Sequence, residues 1–165
     1  MAREAVEKSL TRWEELAVLQ KHYSEFLPFL EDAMEFLGFG TTDIQADIAS
    51  FIQYGPAYLM VQAQRGQAKT TITACFAVWC LLHDPRFRVL IVSAGGTQAS
   101  EISTLIVRLI LNMPELECIR PDKNNGDRTS VEAFDVHYSL KGVDKSPSVA
   151  CVGITGNLPG KRADL

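Results

Sequence analysis

The feature that most constrains this chain is a loop between an apolar run and an apolar helical segment, at residues 57–71. The apolar run is 58–61, and the loop after it contains Gly66. Lys69 and Thr70 then begin the helical segment. A short apolar run before a turn is typical of a buried strand, so this order predicts strand, loop and helix.

A loop that ends at a helix N-terminus offers unpaired backbone N–H groups and a partial positive charge to phosphate. In the pattern G-x-x-x-x-G-K-[ST], the lysine contacts the β and γ phosphates and the hydroxyl holds Mg²⁺. Here residues 63–70 read AQRGQAKT, with alanine at both glycine positions and Gly66 between them. The pattern alone therefore leaves two interpretations open, a degenerate phosphate-binding loop and an ordinary turn with a solvated Lys69.

The length and composition indicate one folded domain. A chain of 165 residues can bury a hydrophobic core. With 47% hydrophobic and 22% charged residues, it is neither disordered nor collagen-like. No apolar stretch reaches the roughly 18 residues of a membrane span, and the N-terminus lacks an apolar signal core. The four cysteines form no C-x-x-C pair, which favours reduced, buried thiols.

The charge is unevenly distributed along the chain. Residues 1–47 carry 10 acidic and 4 basic side chains, a net charge of −6. Residues 48–165 carry 10 acidic and 12 basic side chains, a net charge of +2. The overall charge of −4 gives no support for a general nucleic-acid surface.

The first part of the chain, 1–38, is predicted to be helical, with a break near Leu27 and Pro28. We expect its apolar stripes to pack against the following domain, 39–165, and a pair of partner-binding helices is the alternative. The stripes contain Val6, Leu10, Trp13, Leu16, Leu19, Tyr23, Phe26, Leu27, Phe29, Leu30, Met34 and Leu37.

A short helix is predicted over 43–53, before the loop, with Thr41, Thr42 or Asp43 as its cap. It carries Gln45, whose amide has one donor group and one acceptor and could read the edge of an adenine. An exposed helical glutamine is the alternative.

The rest of the chain predicts an α/β sheet with two strand-to-helix crossover units. The segment after the loop is apolar nearly all round, as is typical of a helix buried between layers. The further predicted elements begin with a strand at 87–92 and a turn at 93–97. Thr97 is the predicted N-cap of an amphipathic helix whose apolar residues repeat from Ile102 to Met113. A surface loop at 114–128 and strands at 129–136 and 148–154 follow.

Taken together and in order, these motifs resemble the large subunit of phage terminases, in particular the DNA maturase B type of short-tailed phages. The nucleotide loop of that family often reads Arg-Gly-x-Gly/Ala-Lys-Ser/Thr, which the segment RGQAKT matches. The resemblance spans about residues 40–165. Its further motifs are DIQADIA around Gln45, VWCLLHDP, LIVSA, and the segment from SPSV through VGITG to RAD.

The resemblance implies a P-loop NTPase fold of the ASCE, RecA/helicase-like class, with a mostly parallel sheet and flanking helices. It implies a motor that uses ATP and Mg²⁺ to drive double-stranded DNA into procapsids and that cuts concatemers through a nuclease domain. Such a motor works as a homo-oligomeric ring in the host cytoplasm, away from membranes. Its partners are DNA, the portal protein and the small terminase subunit.

Roles follow from the resemblance residue by residue. Lys69 would contact the β and γ phosphates, Thr70 would hold Mg²⁺, and Arg65 would act beside the γ phosphate, so Arg65 and Lys69 are the candidate catalytic residues. Lys161 and Arg162 would reach the nucleotide of a neighbouring subunit, with a solvated basic loop as the alternative. The implied nucleotide contacts are Gln45, Gln64, Arg65, Gly66, Gln67, Ala68, Lys69, Thr70 and Thr71. Ser93 and Ala94 would lie near nucleotide or DNA.

One departure from the family limits these expectations. In the family an apolar strand with paired acidic residues follows the RAD segment, whereas this chain ends at Leu165. We therefore expect the N-terminal part of such a protein, truncated before the Walker B strand, which binds nucleotide and hydrolyses it poorly. A helicase-like DNA translocase and a non-catalytic interaction protein are the alternatives.

Overall fold

Two helices form the N-terminal part of the chain. The computed structural model describes residues 2–156 and 161–165, with side-chain surroundings from residue 11 onward. Helix α1 spans Ala2–His22 and helix α2 spans Phe26–Phe36. The break lies a few residues before the predicted position because Pro28 is in the first turn of α2, where its missing N–H has no intrahelical partner to lose.

The apolar stripes of these helices pack into the common core, as predicted. Phe26 is fully buried and lies 5.1 Å, ring centroid to ring centroid, from Phe76. The indole Nε1 of Trp79 donates to the carbonyl of Tyr23 at 2.8 Å. Trp13 and Phe36 are exceptions, since 41% and 42% of these side chains, respectively, are exposed. The side chains of Val6 and Leu10 lie outside the part that the structure describes.

Helix α3, Asp43–Tyr54, confirms the predicted short helix, and helix α4, Lys69–His83, confirms the buried helix after the loop. The side chain of Thr42 caps α3. The apolar positions of α4 are buried on several sides, since it packs against α2, α3 and another helix, α5 (Gly96–Asn112).

The predicted strand at 58–61 is wrong for the described residues, in which nothing between α3 and α4 is a strand. Tyr58 is 96% exposed and Met60 is 85% exposed. A strand exists only where its backbone groups pair with a neighbour, and the described strands pair with one another instead. An apolar run of this length does not specify a strand by itself.

The sheet has three strands in the order β1-β3-β2: β1 is Val89–Ser93, β2 is Ala133–Phe134 and β3 is Val149–Gly153. Strands β1 and β3 are parallel, with Val89 opposite Val149, whereas β2 is antiparallel to β3. Helix α5 packs on both β1 and β3. This strand–helix–strand unit confirms one of the two predicted crossovers, and the fold is α/β with a mixed sheet.

Three predicted features differ from the structure. Residues 129–136 hold only the two-residue β2, because the chain turns back on itself and Asp135 N–H donates to the carbonyl of Arg128 at 2.9 Å. Gly95, not Thr97, is the N-cap of α5. The expected surface loop at 114–128 contains two 3₁₀ helices, Pro114–Ile119 and Lys123–Asn125, and the first of them buries Leu116, Cys118 and Ile119. A four-residue helix, α6 (Tyr138–Lys141), precedes β3.

The last residues run along the free edge of β1. Leu165 N–H donates to the carbonyl of Arg88 at 3.1 Å, and Leu90 N–H donates to the carbonyl of Leu165 at 2.9 Å. Bonds on both sides of one residue in this pattern are typical of parallel pairing. Asp164 fixes the position, because its carboxylate accepts from Nε and Nη2 of Arg88, each at 2.9 Å.

No helix in the described part of the chain is long and apolar enough to cross a membrane.

The four cysteines are unpaired, and Cys75 and Cys118 are buried. Burial raises the pKa of the Cys75 thiol to about 12 and that of Cys118 to about 11. These two thiols are therefore protonated and unreactive at neutral pH.

Candidate phosphate-binding site

The loop before α4 turns through two residues with positive φ. Gly66 has φ +90°, and a side chain there would meet no atom within 4 Å, so backbone conformation alone favours glycine. Ala68 is the N-cap of α4 and has φ 52° and ψ 32°, in the left-handed region. No side chain caps this end of the helix. The first N–H groups of α4 therefore have no capping side chain, as an anion-binding helix end requires.

Lys69, the first residue of α4, folds back over the loop. Its ammonium donates to the carbonyl of Gln64 at 3.0 Å and also to the carbonyl of Ala63. These two bonds hold the positive charge within the turn formed by the loop, and the side chain is only half-exposed. The ammonium of Lys69 is therefore bonded to the loop backbone, and both interpretations of the loop stay open at this point.

The other predicted phosphate contacts surround the start of α4. Gln64, Arg65 and Thr70 are exposed, whereas Gln67 and Thr71 are half-buried. Arg65 forms no ion pair within the described residues. Arg65 in the loop thus presents a guanidinium to solvent, and Thr70 in the first turn of α4 presents a hydroxyl.

Gln45 has a structural role that the sequence interpretation missed. It is 6% exposed, so the alternative of an exposed helical glutamine is wrong. Its Oε1 accepts from the Thr42 N–H at 3.0 Å, while the Thr42 hydroxyl accepts from the Gln45 N–H at 3.3 Å. This reciprocal pair is a capping box, whose sequence signature, Thr followed by Gln three residues later, is present in the chain.

The carboxyl ends of β1 and β3 meet at the N-terminus of α5. Ser93 accepts a backbone bond from Ile154 at 2.8 Å, and its hydroxyl bonds Gln98 at 2.9 Å. A side chain at Gly153 would lie 3.0 Å from the Gly96 nitrogen, so only glycine fits this close approach without a shift. The end of LIVSA and the start of GITG are therefore adjacent in space.

Lys161 and Arg162 are exposed beside the segment that Asp164 fixes to Arg88. Hydrogen bonds from Arg88, stronger than the opposing effect of burial, hold the pKa of Asp164 below its ordinary value. Residues 157–160, which separate this segment from GITG, lie outside the described residues.

Sequence reasoning also missed Asp135, which is 4% exposed. Its carboxylate accepts from Lys141 Nζ at 2.7 Å and from Arg128 Nε at 2.9 Å. Burial raises the pKa of Asp135, but these bonds outweigh burial and keep it below the ordinary value. An aspartate between Phe134 and Val136 was a usable signal, because a carboxylate inside an apolar stretch needs partners.

The described residues contain no group of three or more His, Cys, Asp or Glu side chains that could hold a metal ion. Among the predicted site residues, the Thr70 hydroxyl is the oxygen proposed for Mg²⁺. A Mg²⁺ ion held in this way would take most of its other ligands from water and from phosphate oxygens, as Mg²⁺ commonly does.

Comparison with known proteins tests the family resemblance. Over 125 residues the chain is 42% identical to the terminase large subunit of Enterobacteria phage T3. The chain is a homologue of part of a terminase large subunit. No family model matches the chain. The matched stretch is 75% of this chain and 21% of the terminase relative, so the chain spans about a fifth of that protein.

The matched stretch includes the candidate site. Any continuous stretch of 125 residues in a chain of 165 contains residues 45–120, so Gln45, the loop and α4 all lie within it. The predicted resemblance to a terminase large subunit is therefore confirmed.

Proposed function

We propose that this chain is the nucleotide-binding part of a DNA-packaging ATPase of the terminase large-subunit type. The observation that carries the proposal is the 42% identity to the T3 terminase over a stretch that contains the loop. The proposed cofactors are ATP and Mg²⁺, and the proposed partners are double-stranded DNA, the portal protein, the small terminase subunit and further copies of the chain in a ring.

The loop supports the phosphate-binding part of this proposal. Lys69 is held at the uncapped start of α4, and Gly66 and Ala68 both have positive φ, which turns the backbone there. In the proposed complex the ammonium of Lys69 leaves the loop carbonyls for the β and γ phosphates, and Thr70 supplies a hydroxyl to Mg²⁺. Arg65 places a guanidinium, which can contact several phosphate oxygens, beside the γ phosphate.

The edge of β1 supports the proposed sheet. Leu165 is paired with β1 in the parallel pattern and Asp164 is bonded to Arg88. In the proposed P-loop NTPase fold this edge carries a further strand, which in the family ends in the acidic pair that completes the site. Nucleotide binding is the property that tests this proposal.

Binding of a fluorescent ATP analogue with Mg²⁺ tests the site directly. We expect Lys69→Ala to weaken binding at least tenfold, because the cation that the loop carbonyls hold is removed. Lys123→Ala, which removes an exposed lysine from a different element, should change the affinity less than twofold. Equal affinities of the wild type and the Lys69→Ala protein, with both folded by circular dichroism, would contradict the proposal.

The experiment on Gln45 must separate adenine recognition from its role in capping α3. Gln45→Glu keeps an acceptor for the Thr42 N–H but removes the amide donor. If Gln45 also reads adenine, this variant should lose several-fold more affinity for ATP than for inorganic triphosphate, because the added carboxylate repels the phosphates of both ligands alike. Gln45→Ala should in addition lose about 1 kcal/mol of stability. Equal losses for ATP and triphosphate in the Glu variant would remove the adenine role.

A further inference from the structure

A groove with an apolar floor and an acidic rim crosses the surface between α1, α2 and the Pro114–Ile119 3₁₀ helix. It consists of two adjoining cavities of about 350 and 360 Å³, which share Pro114 and Glu115. We call it the acidic groove. It is separate from the proposed nucleotide loop, none of whose residues lines it.

The floor of the acidic groove is apolar and accessible. Val18 is 68% exposed and Phe36 is 42% exposed, although both lie on helices whose opposite faces are buried in the core. Leu19 and Pro114 extend the same surface. Apolar side chains grouped in a depression with a polar rim are typical of a surface that binds another protein.

The rim carries charge of one sign. Its charged residues are Glu15, Glu115 and Glu117 in one cavity and Asp32, Glu35 and the shared Glu115 in the other, and no lysine or arginine lines either cavity. None of these five carboxylates forms an ion pair within the part of the chain that the structure describes. Carboxylates that line the same groove repel one another, so a cation between them would be stabilised.

The carboxylates of the acidic groove also raise the pKa values of buried groups beneath it. Burial is the main cause of the raised pKa of the Tyr23 hydroxyl, which donates to Asp32 at 2.7 Å, and the charges of Asp32 and Glu115 raise it further. Burial likewise raises the pKa of Cys118, and Glu15 adds to the effect while Arg12 opposes it. Arg12 itself is bonded to the Cys118 carbonyl at 2.8 Å, at one end of the groove.

We infer that the acidic groove is the docking surface for a basic segment of a partner protein, one that carries apolar side chains on the face it presents to the floor. Charge complementarity selects this occupant. The rim repels DNA phosphates, and it also repels the acidic N-terminal region of a second copy of this chain, residues 1–47 with net charge −6. A helix with leucines on one face and lysines beside them meets both requirements of the groove.

The test uses the whole 165-residue chain and a labelled helical peptide with leucines on one face and lysines on the other, followed by fluorescence anisotropy. Two control peptides replace the leucines by serine or the lysines by glutamate. The groove variant is Glu15→Gln with Glu115→Gln and Glu117→Gln. The matched control is Asp47→Asn with Glu101→Gln and Glu132→Gln, three exposed carboxylates outside the groove, which changes the net charge equally.

We expect the groove variant to bind the peptide at least tenfold more weakly and the matched control less than twofold more weakly. Val18→Ser, which leaves the charges in place, should also weaken binding, and neither control peptide should bind. Equal losses in both triple variants would overturn the inference, as would absence of binding to the wild type. Self-association that the groove variant alone abolishes would identify a second copy as the occupant and overturn it as well.

Discussion

Ala68 holds a backbone conformation that costs an L-residue about 1 kcal/mol, and it does so where the phosphate-binding pattern has glycine. In the family that the sequence resembles, either glycine or alanine stands at this position. The structure shows the backbone conformation that alanine must adopt there. The helix begins at Lys69 only because Ala68 turns the chain in the left-handed region. Glycine in the pattern therefore reflects the need for a left-handed backbone before the helix. This chain adopts that backbone with an alanine, which is strained there.

Replacement of Ala68 by glycine should relieve this strain. We expect Ala68→Gly to raise the free energy of unfolding by up to about 1 kcal/mol, the left-handed penalty less the greater entropy of glycine in the unfolded chain. Gly66→Ala is the matched change in the opposite direction, since φ there is +90° and the space around it is open. It should lower stability by about 1 kcal/mol. Urea denaturation measures both, and a destabilised Ala68→Gly protein would show that Ala68 is unstrained.

The segment between α5 and β3 has little regular structure, and a single carboxylate holds much of it together. Asp135 links Arg128 on one side of the turn to Lys141 in α6 and also accepts from the Ser148 N–H at the start of β3. Ser148 in turn accepts from the Val136 N–H at 3.1 Å. These bonds replace the strand pairing that the apolar pattern of 129–136 had predicted.

Asp135→Asn should lower the free energy of unfolding by about 3 kcal/mol at pH 7, because buried Lys141 loses its counter-charge. The folded pKa of Asp135 lies below the ordinary value of 3.8, so its contribution is complete above about pH 5. It is lost as pH falls through the folded pKa. The difference between the two proteins should thus be constant from pH 7 to about pH 5 and shrink below about pH 4.

Denaturant titrations at several pH values check this expectation. Glu132→Gln changes an exposed carboxylate nearby and should alter stability by less than about 0.5 kcal/mol. A difference that stayed constant down to the most acidic measurable pH would contradict the assigned role of Asp135.

Across the whole molecule, the N-terminal helices and the sheet region share one core. Phe26 of α2 packs against Phe76 and Trp79 of α4, and the buried cluster continues from α2 through α4 to α5 and the strands. Residues before and after residue 38, where the sequence pattern changes, therefore belong to one packed core. We propose that both parts fold in one step, because neither can bury its apolar face without the other.

A pair of substitutions in one helix tests this. Phe26→Ala should lower the free energy of unfolding by about 3 to 4 kcal/mol, since a fully buried ring is lost. Phe36→Ala, at a position 42% exposed, should cost much less. Tryptophan fluorescence and far-ultraviolet circular dichroism should give the same midpoint in each protein. Two separate transitions in the Phe26→Ala protein would show that the N-terminal helices are an independent unit.

The sequence by itself determined the elements that local pattern encodes. The three- and four-residue spacing of apolar residues located α1, α2, α3 and α5, and a segment that is apolar nearly all round located α4. Short, mostly apolar runs located β1 and β3. An ordered set of short motifs was sufficient to indicate the terminase relationship, which the identity to the T3 protein confirms.

Tertiary structure alone decided where apolar runs pair and where polar side chains find partners. Residues 58–61 and 129–136 resemble strands in composition, yet strand pairing depends on neighbours far away in the sequence. The burial of Gln45 and Asp135 depends on such packing too. The physical reason is the same in each case: helical periodicity is local, whereas pairing, burial and the field of the acidic groove arise between residues that only the fold brings together.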